Sequence, residues 1–277
     1  MVRALAIVAL IVAVAAGVAW GVGGPSFVGL AALCIGIQWL AFVPAWLGRT
    51  ERFYDLTGSI TYLSVVATAL AIAPAPSMVS WLVAAAVVLW AVRLGTFLAA
   101  RIHRAGKDGR FDEIKQSFPR FLVAWTLQGL WVFLTSIAAL ALILDAPGGS
   151  PWMAVGGLLW MVGFAVEVLA DQQKTSFKAD PANEGRWIDT GLWAWSRHPN
   201  YAGEILLWTG IFTAGLTTWS GGGWLTVLSP VFVTFLLTRV SGIPMLERRA
   251  DERWGDDPAY QAYKARTPVL MLWRPRS

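Results

Sequence analysis

Residues 121–144 read FLVAWTLQGLWVFLTSIAALALIL, an apolar run without one charged side chain. A helix needs about 20 such residues to cross the ~30 Å hydrocarbon core of a bilayer. In hydrocarbon every backbone N–H and C=O must be satisfied internally, so a run of this length reads as a membrane-spanning helix. Outward from it, similar runs lie at 5–22, 27–47, 54–73, 79–102, 152–170, 202–218 and 224–240. The first does not end as a signal peptide does. Its Ala-Trp-Gly-Val-Gly-Gly-Pro (19–25) leads straight into the next apolar segment, and a retained helix is expected. The chain is therefore read as all-α, a polytopic transmembrane bundle of about seven or eight helices forming one integral membrane domain over 1–277.

Composition points the same way. Of 277 residues, 56% are hydrophobic and 14% charged, and the mean hydropathy is +0.56; soluble domains carry about 25% charged residues. A single cysteine, Cys34, excludes an internal disulfide framework and a multi-thiolate metal site. Two histidines, His103 and His198, leave no HExxH and no His-rich cluster, so no metal site is expected.

The charges sort by loop. Arg49, Glu51 and Arg52 follow the second run; Arg101, Arg104, Lys107, Arg110, Lys115 and Arg120 follow the fourth. Lys174, Lys178, Arg186 and Arg197 follow the sixth, and the C-terminal tail carries both signs. The alternate connections, 23–26, 74–77, 145–151 and 219–223, hold no Lys or Arg. The positive-inside rule then places both termini and the basic loops in the cytoplasm, in the inner membrane if the chain is bacterial. The 101–120 charges suit anionic lipid heads. Gly156, Gly157 and Gly163 in the sixth run suit close helix packing.

Ionisable groups in a membrane segment are costly unless they face a cavity or a partner. The candidates are Asp55, Arg93, Glu167, Asp171, Glu204 and Arg239, all toward the basic-loop side in this topology. Glu167 and Asp171 stand four apart, on one helix face, and Lys174 and Lys178 continue that face. Downstream, Ser196-Arg197-His198-Pro199-Asn200-Tyr201-Ala202-Gly203-Glu204 enters the seventh run. It reads either as a capped helix start or as a phosphate site, in which Arg and His flank exposed helix-start amides.

The stretch from Ser196 through Ile205 to Gly210 resembles the C-terminal signature of steroid 5-alpha-reductase-like membrane enzymes. Four further blocks, 51–59, 109–114, 177–181 and 253–260, resemble the DUF1295 branch of that superfamily. The resemblance runs from about residue 50 to 277, which leaves 1–47 as two N-terminal helices outside that core. The short Arg-His-Pro-x-Tyr-x-Gly element is also similar to isoprenylcysteine carboxyl methyltransferases, which use S-adenosylmethionine, and to sterol C14 reductases, which use NADPH.

The resemblance implies NADPH held within the bundle in a pocket open to the cytoplasm, and the sequence has no GxGxxG after a strand and no P-loop. Carried over by position, Asp171 stands near the adenosine and Glu167 where the family has an amide. Lys178, Arg186 and Arg239 fall on the phosphate side, with Arg104 a looser match. Arg197 and His198 belong to the motif, Asn200 to the nicotinamide end, and Glu204 to the Gly-Glu that follows. Asp55 aligns with the acid that polarises an enone carbonyl, a role that a carboxyl kept neutral in a low-dielectric site can fill. The family tyrosine of helix four falls near Trp90 to Arg93, where this chain has none, so Tyr54, Tyr62 or Arg93 would replace it.

Three functions follow: an NADPH-dependent reductase of a hydrophobic enone, an S-adenosylmethionine-dependent methyltransferase of a membrane-embedded acceptor, or a non-catalytic lipid-binding protein. The partners expected are a hydrophobic small-molecule or lipid substrate and the membrane lipids, with no nucleic acid.

Overall fold

The computed structural model describes residues 1–105 and 109–273; the side chains of 104, 105 and 110 also lie outside the description. Arg104, expected at the cofactor, is therefore outside the described side chains, as are Lys107, Arg110, Arg274 and Arg276. Among the described residues the chain is all-helical, without strands. Its elements are α1 (Val2–Gly23), α2 (Pro25–Leu47), α3 (Tyr54–Ile72), α4 (Met78–Ala105), α5 (Phe118–Asp145), α6 (Pro151–Ala179), α7 (Pro199–Ala214), α8 (Leu228–Phe235), α9 (Ile243–Trp254) and α10 (Pro258–Arg266).

Six of these, α1 to α6, are long and apolar enough to cross a membrane, and the helical stretch Gly221–Trp254 makes a seventh. The seventh apolar run forms a shorter helix than expected. At 16 residues, α7 measures ~24 Å at 1.5 Å per residue, less than the ~30 Å apolar core. The run at 224–240 is also not one regular helix. A 3₁₀ stretch (Gly221–Val227) leads into α8, and a π-helical turn (Leu236–Val240) follows.

The chain divides into two compact units, Met1–Ser150 with Gly215–Ser229, and Pro151–Ala214 with Pro230–Ser277. In the first, α5 is the central helix and α1 to α4 pack around it. It is apolar on every side, and Phe133, Ile137, Leu140 and Ile143 are fully buried. Side chains such as Leu10, Leu40 and Leu82 on the surrounding helices stay exposed, as a lipid-facing surface requires. Where burial gains little over lipid, close approach and polar contacts hold helices together. Gly129 brings α5 against α2, where an added Cβ would lie 2.9 Å from Ile35 Cα. Gln38 donates to Thr61 (2.8 Å), Trp39 to Thr126 (3.0 Å) and Ser80 to the Ile143 carbonyl (3.1 Å), which ties α2 to α3 and α5, and α4 to α5.

The second unit is built on an antiparallel hairpin of α6 and α7. Gly156 meets Gly210 and Gly163 meets Gly203, each pair seven residues from the other, so the seam recurs on one face of both helices. A Cβ on Gly163 would lie 2.5 Å from Leu207 N and 2.6 Å from Gly203 O. Gly157, grouped with these in the sequence, faces open space. The sixth apolar run ends near residue 170, but α6 continues to Ala179, because Asp171 to Lys178 are compatible with helix until Asp180-Pro181 stops it. Asp180 then caps the next turn by accepting from Ala182 N at 2.9 Å. The charged tail is likewise structured, as α9 and α10. Pro244 and Pro258 sit in the first turns of these helices, and Asp257 accepts from Ala259 N at 2.8 Å.

Candidate functional site

Nine of the expected cofactor residues belong to the second unit. Glu167 and Asp171 are buried on one face of α6 (2% and 7% exposed), as their spacing implies, and Glu204 is buried in α7 (7%). The glycine seam brings α7 close to this acid face: a Cβ on Gly203 would lie 2.6 Å from Glu167 N. Asn200 is half-buried in the first turn of α7, whereas Lys178, Arg186 and Arg239 are exposed. Arg239 lies on the π-helical turn, and such turns are rare and frequent at functional sites.

The start of α7 is held by contacts from far along the chain. His198 N donates to Ser196 Oγ (3.2 Å), and Arg197 N donates to the Pro268 carbonyl (2.9 Å). Ser196 Oγ in turn donates to the Val269 carbonyl (3.3 Å). The C-terminal chain thus returns to close the turn that leads into α7. Above it, Trp193 Nε1 donates to the Ala170 carbonyl (3.0 Å) and Tyr263 OH to the Trp193 carbonyl (2.8 Å). Lys174 Nζ lies 4.3 Å from the Trp193 ring centroid, a cation–π contact.

Glu247 of α9 organises the polar cluster. Its Oε1 accepts from His198 Nε2 at 2.8 Å, and its Oε2 meets Arg197 Nη1 at 3.0 Å and Lys264 Nζ at 3.9 Å. Lys264 also pairs with Asp251, one turn further along α9, at 2.6 Å. Burial pushes the His198 imidazole below its ordinary range, and this outweighs the opposing pull of Glu247. A neutral imidazole that gives its Nε2–H to a carboxylate leaves Nδ1 as an acceptor. That Nδ1 is buried without a protein partner, and so is Arg197 Nε. Sequence reasoning misses Glu247; its i,i+4 spacing to Asp251 is the local signal that could have drawn attention to it.

Tyr54 and Asp55 belong to the first unit. Tyr54 OH donates to the Ala124 carbonyl (2.9 Å), and its ring packs on Phe111 and Trp125. Asp55 Oδ2 lies 3.5 Å from Arg101 Nη2, so this carboxyl has a cation beside it. Trp90, in the region where the resemblance expects a tyrosine, is buried edge-on against Tyr62 (5.0 Å between centroids).

Together the helices and this cluster define a multi-pass helical membrane protein with a polar, carboxylate-rich end to a glycine-seamed hairpin. Residues 41–267 match the family described as "Protein of unknown function (DUF1295)", and the chain belongs to that family. It is 30% identical to an uncharacterised protein of Schizosaccharomyces pombe over 50% of each chain. It is also 30% identical to a probable O-methyltransferase, ustE, of Ustilaginoidea virens, over 36% of this chain and 39% of that one. The chain thus spans half or less of the length of these relatives. No solved structure matches.

Proposed function

We propose that the protein is an NADPH-dependent membrane reductase that transfers a hydride to an enone-type double bond of a hydrophobic, steroid-like or lipid, substrate. The observation that carries this reading is the pair of buried, unpartnered atoms Arg197 Nε and His198 Nδ1 at the entry to α7, on a hairpin that also buries Glu167, Asp171 and Glu204. Buried polar atoms are normally satisfied, so a donor and an acceptor left unpartnered on consecutive residues fit a ligand that supplies both complements. A nicotinamide dinucleotide does, through its phosphate oxygens and its carboxamide. Asp171 suits a ribose or adenine, and the exposed Lys178, Arg186 and Arg239 suit phosphates. The hydride is the chemistry NADPH supplies when bound. The chain's part is to orient it with Asn200 and Glu204, and the resemblance implies Asp55 and Tyr54 as the groups that meet the acceptor carbonyl. The topology that goes with this reading has both termini and the cofactor entrance in the cytoplasm.

The test is a thermal-shift titration of purified protein with NADPH and S-adenosylmethionine side by side. NADPH raises the midpoint, and Asp171→Ala and Arg239→Ala weaken its binding; unchanged affinity in both variants overturns the cofactor assignment. Enone turnover that survives Asp55→Asn removes the acid from the mechanism.

A specific observation favours a second reading, S-adenosylmethionine-dependent methylation of a membrane-embedded acceptor: the relative named a probable O-methyltransferase. The buried acids can equally hold an adenosine ribose, and helix four lacks the tyrosine that the reductase resemblance implies. A midpoint raised by S-adenosylmethionine and not by NADPH selects this reading; no response to either leaves a lipid-binding protein.

A further inference from the structure

A second polar site lies in the first unit, at the connection between α2 and α3. Gly48, Arg49, Thr50, Glu51, Arg52, Phe53 and Lys115 line a cavity of about 520 Å³ there. Because α2 and α3 both have membrane-spanning length, their connection sits at the boundary between lipid and water.

The backbone of this connection ends α2 in a left-handed turn. Arg49 has φ 48°, the left-handed region that a residue with a side chain rarely adopts, at roughly 1–2 kcal/mol. This conformation closes the end of α2, where Thr50 N donates to the Ala45 carbonyl at 3.0 Å, and glycine is the ordinary choice there. The guanidinium is held in place from two directions. Its Cζ lies 3.5 Å from the Trp46 ring centroid, and Nη1 donates to the Lys115 carbonyl at 3.1 Å. Those contacts occupy one of its five donors.

The lining is cationic. Arg49, Arg52 and Lys115 stand against one carboxylate, Glu51, which is buried (3% exposed) and engaged by Lys115 Nζ at 2.7 Å. Asp112, outside the lining, also pairs with Lys115, at 3.4 Å. Beside this bowl the surface turns apolar at once. Leu47 is 78% exposed and Phe118 42% exposed, with Phe118 edge-on to Trp46 at 5.2 Å. A cationic bowl next to bare apolar side chains matches a molecule with an anionic head and acyl chains.

We propose that this cavity binds the phosphate headgroup of an anionic membrane lipid, with Arg49 and Arg52 as the cations that meet the phosphate.

Native mass spectrometry of the protein in detergent, with equimolar phosphatidylglycerol and phosphatidylcholine, reads the selectivity directly. Each cation near a membrane surface contributes enough that two of them favour the anionic lipid about tenfold or more. The double variant Arg49→Gly/Arg52→Gln removes both charges, and glycine suits the positive φ, so the fold is retained while the preference falls to near one. Circular dichroism of the variant confirms the fold. Equal selectivity in wild type and variant overturns the proposal, and so does the absence of any preference in the wild type. A third arm offers inorganic phosphate: displacement of the lipid by millimolar phosphate identifies a soluble anion as the ligand and overturns the lipid assignment.

Discussion

Adding one methyl group to the α6·α7 seam tests whether the hairpin rests on backbone contact. In Gly203→Ala the new Cβ would lie 2.5 Å from the Gly163 carbonyl oxygen and 2.6 Å from Glu167 N. Carbon–oxygen contacts settle at about 3.3–3.6 Å, so the helices must separate by roughly 1 Å. Both obstructing atoms are backbone, and no side-chain rotation relieves the clash. Overpacking of this kind costs about 1–3 kcal/mol. The substitution also carries a gain, since alanine is better than glycine within a helix by about 1 kcal/mol. Gly157→Ala isolates that gain, because nothing lies within 4 Å of its Cβ position. The gap between the two variants is therefore the seam itself, about 1–3 kcal/mol. Thermal unfolding in detergent, followed by the fluorescence of the 17 tryptophans, measures it. Gly157→Ala melts at or above the wild type, and Gly203→Ala and Gly163→Ala melt below it. If all three variants melt together, the close contact does not exist and the placement of Glu167 against α7 goes with it.

Glu247→Ala strands a largely shielded guanidinium and a buried imidazole. With side-chain exposures of 11% for Arg197 and 20% for Glu247, the loss is about 2–3 kcal/mol, below the full cost of breaking a deeply buried pair. Glu247→Gln still accepts from His198 Nε2 and loses roughly half as much in the same melting assay. His198 adds a pH dependence. Its folded-state pKa lies below the ordinary 6.5, so the unfolded chain takes up the proton first. Its contribution to stability is complete above about 6.5 and is lost as the pH falls through the folded value; a His198→Asn melt shows a flatter acid limb. Lys115 has the opposite sign, because hydrogen bonding to Glu51 raises its pKa. That contribution is intact below 10.5 and declines only as the pH rises beyond it, and Lys115→Met costs about 2–4 kcal/mol at neutral pH by taking Nζ from the buried Glu51.

The spans were legible because burial in lipid is written locally. Residues 54–73 and Tyr54–Ile72 differ by one position, since a run of apolar residues and a flanking charge mark both ends of such a helix. The i,i+4 pairing of Glu167 and Asp171 was equally local. What stayed hidden depends on separation in sequence. Glu247 reaches His198 across 49 positions, and no periodicity in either segment announces the other. The same holds for Lys264, which no local pattern places against Glu247 and Asp251. The early end of α7 at Ala214 comes from a turn in which Thr218 N bonds back to Gly215 O, within a stretch as apolar as the helix itself.

The return of Pro268 and Val269 to Arg197 and Ser196 has a bearing on how the protein is made. The entry to α7 leaves the ribosome some seventy residues, by position, ahead of the strap that closes it. A chain stopped after α9 can insert most of its helices and still lack the backbone contacts that fix Arg197 and His198. Assembly of that end of the hairpin therefore waits until Pro268 and Val269 have been made, and insertion of the earlier helices alone does not complete it.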